Sequence, residues 1–364
     1  MEFTVGLLGA GFIAAFHARA LARIPGIRIG WVCDADGAKA KAVAATIPGA
    51  KACDSLEKML ADKPDAVHVL LPPGAHASTT VSCLAAGAHV FVEKPLAAST
   101  DEVRLVTAAA KASGRHVGVN HNLVFNPTFQ KLVGAVKAKK LGELEHVSLT
   151  WSVPLRQLQM GMDGHWIFKA PANVLLEQAV HPLSMAQYLL GDMVSASVLP
   201  SRPKVLANGT TFYRTWLISL KLERGTAQLV ASFGGEFPEI RVFAIGQDGS
   251  ASLDLRKSTF SLRENSFQEP PLDDLFAGVG ESVGLASLSA GNFTRTLLGI
   301  VKAAPAFDPF GDSIAESVKA FYGAIAAGNT PPVGLARGGA VVEMCEVAGA
   351  AANDRVQPSL ESTR

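Results

Sequence analysis

The sequence predicts an α/β protein of two domains: an N-terminal doubly wound parallel sheet followed by a C-terminal α+β domain. Three observations predict it. Over residues 1–122, short apolar runs alternate with amphipathic stretches, as strands do when crossover helices join them. A glycine-rich turn follows the first apolar run directly. Past residue 122 the rhythm changes to strand-like runs joined by short turns, which is the mark of hairpins. The 364 residues, 48% of them hydrophobic, suffice for two ordinary domains with cores of their own and exclude a disordered chain. The expected division is 1–122, 123–352 and a polar tail at 353–364.

In the first domain, strands are expected at 3–8, 28–33, 67–71, 89–92 and 116–119, with a weaker one at 51–53. Helices are expected at 12–24, 38–46, 55–61, 76–86 and 100–113. The last has clear punctuation. Ser99 can cap it, Glu102 stands three residues on as a capping box, and Gly114 can end it.

In the second domain a helix is expected at 127–139, a strand at 143–153 and a helix at 174–190 ahead of Gly191. Runs at 211–222, 226–233, 240–245 and 250–255 follow. Turns such as Glu223-Arg224-Gly225 and Gln247-Asp248-Gly249 join them, so the sheet is antiparallel or mixed. Residues 265–305, rich in Gly, Ser and Leu, read as a lid or a contact surface. Helices at 313–327, stopped by Gly328 and Pro331-Pro332, and at 339–352 close the chain. They are expected to pack back on the first domain.

Lysine and arginine (33) nearly balance aspartate and glutamate (32), so the net charge of +1 gives no global attraction to nucleic acid or an anionic membrane. No apolar stretch reaches the about 20 residues of a membrane span. The N-terminus lacks the basic segment and cleavage site of a leader, so a cytoplasmic protein is expected. Cys33, Cys53, Cys83 and Cys345 form no CxxC pair and read as buried free thiols in a reducing compartment, not as metal ligands.

Gly9-Ala10-Gly11-Phe12-Ile13-Ala14 closes the first strand and opens the first helix. In that setting the motif suits a dinucleotide. Gly9 permits the tight turn, Gly11 lets the backbone approach a pyrophosphate, and Ala14 lets helix and strand pack closely. The helix N-terminus offers free N–H groups and a positive dipole end to the phosphates. Asp34 ends the second strand 20 residues past Ala14. Its carboxylate suits ribose hydroxyls and repels a 2′-phosphate, which favours NAD over NADP. The competing reading is a glycine turn that binds nothing, with Asp34 as a solvated strand end.

The run His89-Val90-Phe91-Val92-Glu93-Lys94-Pro95 is a strand that ends in a charged pair and a proline, at the sheet edge where ligands sit in open α/β folds. A cis bond at Pro95 would fix the direction of Lys94. An ammonium held there can stabilise a forming alkoxide. The competing reading is a surface Glu93–Lys94 pair.

The glycine turn, this Glu-Lys-Pro and a histidine in a mid-chain helix resemble the Gfo/Idh/MocA oxidoreductases. Pro72-Pro73-Gly74-Ala75-His76, Phe125-Asn126-Pro127 and Pro331-Pro332-Val333 extend the resemblance over essentially the whole chain. It implies a Rossmann domain, then an α+β domain whose large, mostly antiparallel open sheet makes oligomer contacts, as a homodimer or homotetramer. It implies a nicotinamide cofactor and a small-molecule sugar, polyol or sugar derivative oxidised or reduced at a secondary carbon. Lys94 matches the family lysine. Glu177-Gln178-Ala179-Val180-His181 matches its Asp-x-x-x-His, so His181 takes the acid–base position and Glu177 replaces aspartate. Ser184 replaces a second aspartate, and Ala172-Asn173-Val174 replaces a common glycine run.

Residues four apart share a helix face, so Glu177 could orient His181. Pro182 predicts a kink there. A core histidine bonded to backbone is the competing reading for His181. The expected cofactor set is Gly9, Gly11, Phe12, Ile13, Asp34, Pro72, His76, Glu93, Lys94 and Asn120. The expected substrate set is Asn122, His165, Trp166 and Asn173, with a structural role competing for each. His17 and His76 are expected at helix starts near the cofactor, without a catalytic part. Lys94 and His181 would have to meet the nicotinamide in one cleft. Two other functions fit the same resemblance: a glycoside-cleaving enzyme that retains NAD, and a dinucleotide-sensing regulator without chemistry.

Overall fold

The structure is a computed structural model that describes residues 2–265, 270–303 and 307–353; the expected tail beyond Asn353 lies outside the described residues. The chain divides into two compact units. The first holds Met1–Asn126 with Phe310–Glu343; the second holds Pro127–Pro309 with the residues from Met344 on.

The first unit is built on a parallel sheet in the order β3-β2-β1-β4-β5-β6. Its strands are β1 Phe3–Leu8, β2 Ile27–Cys33, β3 Lys51–Cys53, β4 Ala66–Val69, β5 His89–Val92 and β6 Val117–Val119. The central strands are apolar because helices cover both faces; every residue of β4 is buried. The helices are α1 Ala14–Leu21, α2 Gly37–Ala44, α3 Leu56–Ala61, α4 His76–Ala85 and α5 Thr100–Ser113. Helix α5 has the caps its sequence announces. Ser99 Oγ accepts from Glu102 N–H at 3.2 Å, and Gly114 turns left-handed at φ 66°. The Glu102 carboxylate reaches back one residue further than a capping box does, to Ala98 N–H at 2.9 Å.

After the short helix α6 Pro127–Lys137, the second unit is a seven-stranded sheet, order β13-β12-β11-β7-β10-β9-β8. Its strands are β7 Leu144–Val153, β8 Met193–Val205, β9 Thr211–Leu222, β10 Gly225–Phe233, β11 Glu239–Gly246, β12 Gly249–Asp254 and β13 Thr259–Glu264. Neighbours are antiparallel except β7 and β10, which pair in parallel. One face is apolar and buried, as the alternation on β10 shows: Ala227, Leu229, Ala231 and Phe233 are buried, and the residues between are not.

Four elements depart from the sequence expectations. Strands β8 and β13 stand where no strand is expected, and both are sheet edges. Pro200 and Pro203 argue against a strand, but at an edge a residue without an N–H leaves no ladder bond unmade. The second unit also carries α7 Arg156–Gln159 and α8 Val180–Leu190 ahead of β8, and α9 Pro270–Ile300 after β13. Helix α9, 31 residues long, occupies most of the stretch read as a lid or contact surface; Gly278, Gly280, Gly284 and Gly291 hide its helical character. The helix expected at 174–190 is interrupted. Leu175–Ala179 form a π-turn, and α8 begins after it. Pro182 has no N–H to give Gln178, and a widened turn absorbs the missing bond.

Helices α10 Pro309–Ala326 and α11 Leu335–Asn353 close the described chain. Ile314, Val318, Phe321 and Ile325 of α10 join Val5, Leu7 and Phe91 in one core cluster. All four cysteines are free and buried. No helix among the described residues is long and apolar enough to cross a membrane.

Candidate active site

The glycine turn sits where the strand order reverses, between β1 and β4. Gly9 adopts φ +107°, and a Cβ there would lie 2.5 Å from the Leu70 carbonyl oxygen at the end of β4. Its N–H donates to Cys33 O at 2.8 Å, so β2 pins the same turn. Gly11 is different: a Cβ there meets nothing within 4 Å. The protein needs Gly9 for its own backbone, whereas the space over Gly11 is open. Ala14 is fully buried at the start of α1, which lets the helix close on the sheet. Phe12 is exposed and packs on Phe16, with ring centroids 5.2 Å apart and the rings tilted at 59°.

Asp34, at the end of β2, braces this turn. Its Oδ2 accepts from Ala10 N–H at 2.8 Å and its Oδ1 from Asp36 N–H at 2.9 Å. Each carboxylate oxygen can accept more than one bond, so capacity remains for ribose hydroxyls. Open space over Gly11 beside a braced carboxylate fits a dinucleotide.

At the end of β5, Glu93 and Lys94 precede a cis Lys94–Pro95 bond. The Glu93 side chain is only 13% exposed, so this is no surface pair. Its Oε1 accepts from Asn120 Nδ2 at 2.6 Å and from His17 Nε2 at 2.8 Å; its Oε2 lies 3.3 Å from Lys94 N–H. Burial pushes the Glu93 carboxyl up, but the His17 hydrogen bond, the Asn120 amide and the Lys94 ammonium together hold it below its ordinary value.

His76, at the start of α4, is buried between two backbone carbonyls. Its Nδ1 lies 2.6 Å from Pro95 O and its Nε2 2.7 Å from Leu71 O. Burial pushes this imidazole below its ordinary value, and the two carbonyls pull the other way. A neutral ring can donate to only one of them. With both nitrogens facing backbone, His76 fastens the Pro72-bearing loop to the one that carries Lys94. Pro72 itself is exposed at the start of its loop.

At the end of β6 the residues divide. Asn122 is buried, and its Nδ2 donates to Ser313 Oγ of α10 at 2.8 Å. Asn120 Oδ1 and both ring nitrogens of His121 are buried without a hydrogen-bond partner. Burial first, then the Lys94 charge, pushes His121 down to about 4, with Glu93 opposing. Three partnerless polar atoms beside a lysine and a carboxylate make an unsatisfied polar corner, which calls for a ligand or an ordered water.

The second unit carries the remaining candidates. His181, in the first turn of α8, is half-buried and stacks on Trp151 of β7, ring centroids 5.3 Å apart at 24°. Trp151 was not a sequence candidate; its only signal is an apolar position on a strand whose neighbours alternate. Glu177 lies in the π-turn, four residues before His181. Ser184 is buried and turns its hydroxyl to the His181 carbonyl at 2.8 Å, a bond within the helix. Trp166 opens a short 3₁₀ turn, and Asn173 Nδ2 donates to its carbonyl at 2.7 Å. His165 Nδ1 lies 3.5 Å from Ile167 N–H as the cap of that turn. His165, Trp166 and Asn173 thus form one braced loop ahead of the π-turn.

Comparison with known proteins agrees with this architecture. The oxidoreductase family with an NAD-binding Rossmann fold matches residues 3–121, and the GFO/IDH/MocA C-terminal domain matches residues 129–252. Inositol 2-dehydrogenase 2 of Saccharopolyspora erythraea is 27% identical over 342 residues, 92% of this chain and 97% of that one. The WlbA dehydrogenase of Bordetella pertussis, solved with NADH and UDP-GlcNAcA, aligns with a TM-score of 0.76 at 18% identity, over 98% of this chain and 96% of that one. Levoglucosan dehydrogenase, solved with NADH and levoglucosan, aligns at 0.79 and 18% identity, over 97% of this chain and 98% of that one. At such identity the two solved structures speak to fold alone. A reversed strand order with its glycine turn, a mixed open sheet and the two consecutive domain matches converge on one conclusion: the chain belongs to the Gfo/Idh/MocA oxidoreductases, which carry an NAD-binding Rossmann fold.

Proposed function

We propose that this protein transfers a hydride between a secondary alcohol or ketone carbon of a sugar, polyol or sugar derivative and NAD. The observation that carries the reading is Lys94 at the carboxyl end of β5, braced through Glu93, in the same parallel sheet as a glycine turn with open space over Gly11. The nicotinamide, when bound, supplies the hydride acceptor or donor. The chain's own residues do the rest. His181 takes the hydroxyl proton, Lys94 stabilises the oxygen as it becomes charged, and Glu177 orients His181. Asn173, His165, Trp166 and Asn122 belong to the substrate-holding set, Asn122 by fixing the end of β6. A relative 27% identical over 92% of this chain supports the substrate class, being named for inositol.

The test is absorbance of reduced nicotinamide across a panel of inositols, free sugars and nucleotide sugars, with NAD and with NADP. A substrate-dependent rise with at least one of them is expected. Release of an aglycone without net NADH would point instead to glycoside cleavage, and no turnover with tight dinucleotide binding would point to a sensor.

NAD is the preferred cofactor in this reading, because a carboxylate at Asp34 repels a 2′-phosphate. Asp34→Ala should lower the ratio of kcat/KM with NAD to that with NADP by about 10- to 100-fold, the worth of a charged hydrogen bond. The ratio is the right measure, since loss of the Ala10 brace weakens both cofactors together. An unchanged ratio would remove Asp34 from that role.

The outer face of the second unit's sheet exposes Val230, Phe243 and Ile245, and edge strand β8 adds Val194, Leu199 and Val205. Such a patch suits a homodimer or homotetramer through this sheet. Light scattering after size exclusion should read a dimer or tetramer, and Phe243→Glu should lower that mass.

A further inference from the structure

The geometry points to His17, His68 and Tyr322 as positioning residues: a buried, one-directional line of hydrogen bonds that keeps Glu93 a carboxylate and thereby holds Lys94 for reaction. The inference rests on the role proposed above for Lys94. The line crosses the first unit's core. Tyr322 Oη, on α10, lies 2.9 Å from Nε2 of His68, on β4. His68 Nδ1 lies 2.8 Å from Nδ1 of His17, on α1. His17 Nε2 lies 2.8 Å from Glu93 Oε1. Both histidines are fully buried and Tyr322 is 3% exposed. Phe91 packs against both imidazoles, at 5.9 and 5.0 Å between ring centroids, and Phe321 packs on Phe91, so the line is walled by rings.

Counting protons sets its direction. A carboxylate only accepts, so His17 Nε2 carries hydrogen. Two Nδ1 atoms 2.8 Å apart need one hydrogen between them. Tyr322 has its one described hydrogen bond to His68, so its hydroxyl has nowhere else among the described residues to donate. Tyr322 therefore donates to His68 Nε2, His68 Nδ1–H donates to His17 Nδ1, and His17 Nε2–H donates to Glu93. Each bond in such a chain polarises the next toward the carboxylate.

The surroundings agree. Burial pushes His68 well below its ordinary value, which keeps it neutral. Burial pushes the Tyr322 phenol well up, with Asp65 adding to it, which keeps it protonated. The groups that face Glu93 are His17 from α1, His76 from α4, Asn120 and His121 from β6, and its neighbour Lys94. The second Glu93 oxygen takes the Lys94 backbone N–H, so the line ends on the residue proposed to stabilise the oxyanion.

The experiment needs no turnover. In the full-length protein, NMR of ¹⁵N-labelled histidine should show His68 protonated at Nδ1 and His17 at Nε2, both neutral at pH 7. The ¹³C carboxyl signal of Glu93 should stay ionised at pH 5. In His17→Leu it should titrate at least about one pH unit higher, because burial then acts unopposed by its main donor. His17→Gln, which restores an N–H donor, should return it. Tyr322→Phe, which removes one hydroxyl, should move the His68 ring signals and raise the Glu93 midpoint less; it serves where the leucine variant fails to fold. With substrate, His17→Leu should lower kcat with KM for NAD unchanged, and the glutamine should rescue it. Opposite tautomers, an imidazolium at pH 7, an unmoved Glu93 midpoint or an unmoved kcat in His17→Leu would each overturn the proposal. Absence of turnover in the wild type would overturn the hydride reading and the role of the line in it, with the tautomers recorded separately.

Discussion

Lys94→Ala should lower kcat at least ~10²-fold while the dinucleotide still binds, and His181→Ala should do the same. That factor corresponds to about 2.7 kcal/mol of barrier, within reach of one well-placed donor or one general base. In the proposed reaction the two act on a single event: the hydroxyl proton must leave as negative charge grows on the same oxygen. The double variant should therefore cost less than the product of the single ones. Binding is separable, because the groups suited to phosphates and ribose are the glycine turn and Asp34, on β1, α1 and β2. Quenching of protein fluorescence by NADH should give a dissociation constant within a few-fold of wild type in both variants. Lys94→Ala also takes away a charge that holds Glu93 ionised, so the Glu93 carboxyl should titrate higher in that variant. Wild-type turnover in either folded variant would strike that residue from the chemistry.

Much of the first unit was legible in the sequence because its signals are local. The period of the apolar runs, the glycines after β1 and the caps of α5 each lie within a few residues of one another, and the strand order follows once dinucleotide-type winding is recognised. What was illegible depends on contacts between distant segments. Glu93 beside Lys94 reads equally well as a surface pair, and only the arrival of His17 and Asn120 shows it to be buried and bonded. His68 looks like an interruption of an apolar strand; its partners lie 51 and 254 residues away. His76, read as a cofactor neighbour, turns both ring nitrogens to backbone. Pro182 announced a disturbance at His181, but its form, a π-turn ahead of the proline, depends on packing of the helix around it. Strand β8 was hidden by its prolines, since whether a proline breaks a strand depends on whether that strand lies at the edge.

The two glycines of the turn offer the sharpest separation of fold from function. Gly9→Ala should destabilise the protein by about 2–4 kcal/mol, from a side chain in a left-handed backbone and from a Cβ driven into main chain. The neighbour is the Leu70 carbonyl, 2.5 Å from that Cβ, and it cannot swing aside as a side chain could. Leu70 N–H donates to Leu8 O at 2.8 Å, and Gly9 N–H to Cys33 O, so relief would need β1 to part from β4 or from β2. A lowered melting temperature and urea midpoint would read this, and dinucleotide binding should fall with them. Gly11→Ala should do the reverse. Its Cβ meets nothing within 4 Å, so stability should stay within about 0.5 kcal/mol of wild type. The methyl group would stand in the space a pyrophosphate needs, and NADH affinity should drop at least about tenfold. If Gly11→Ala bound NADH as the wild type does, the open space over that residue would belong to solvent and the dinucleotide would have no seat on this turn.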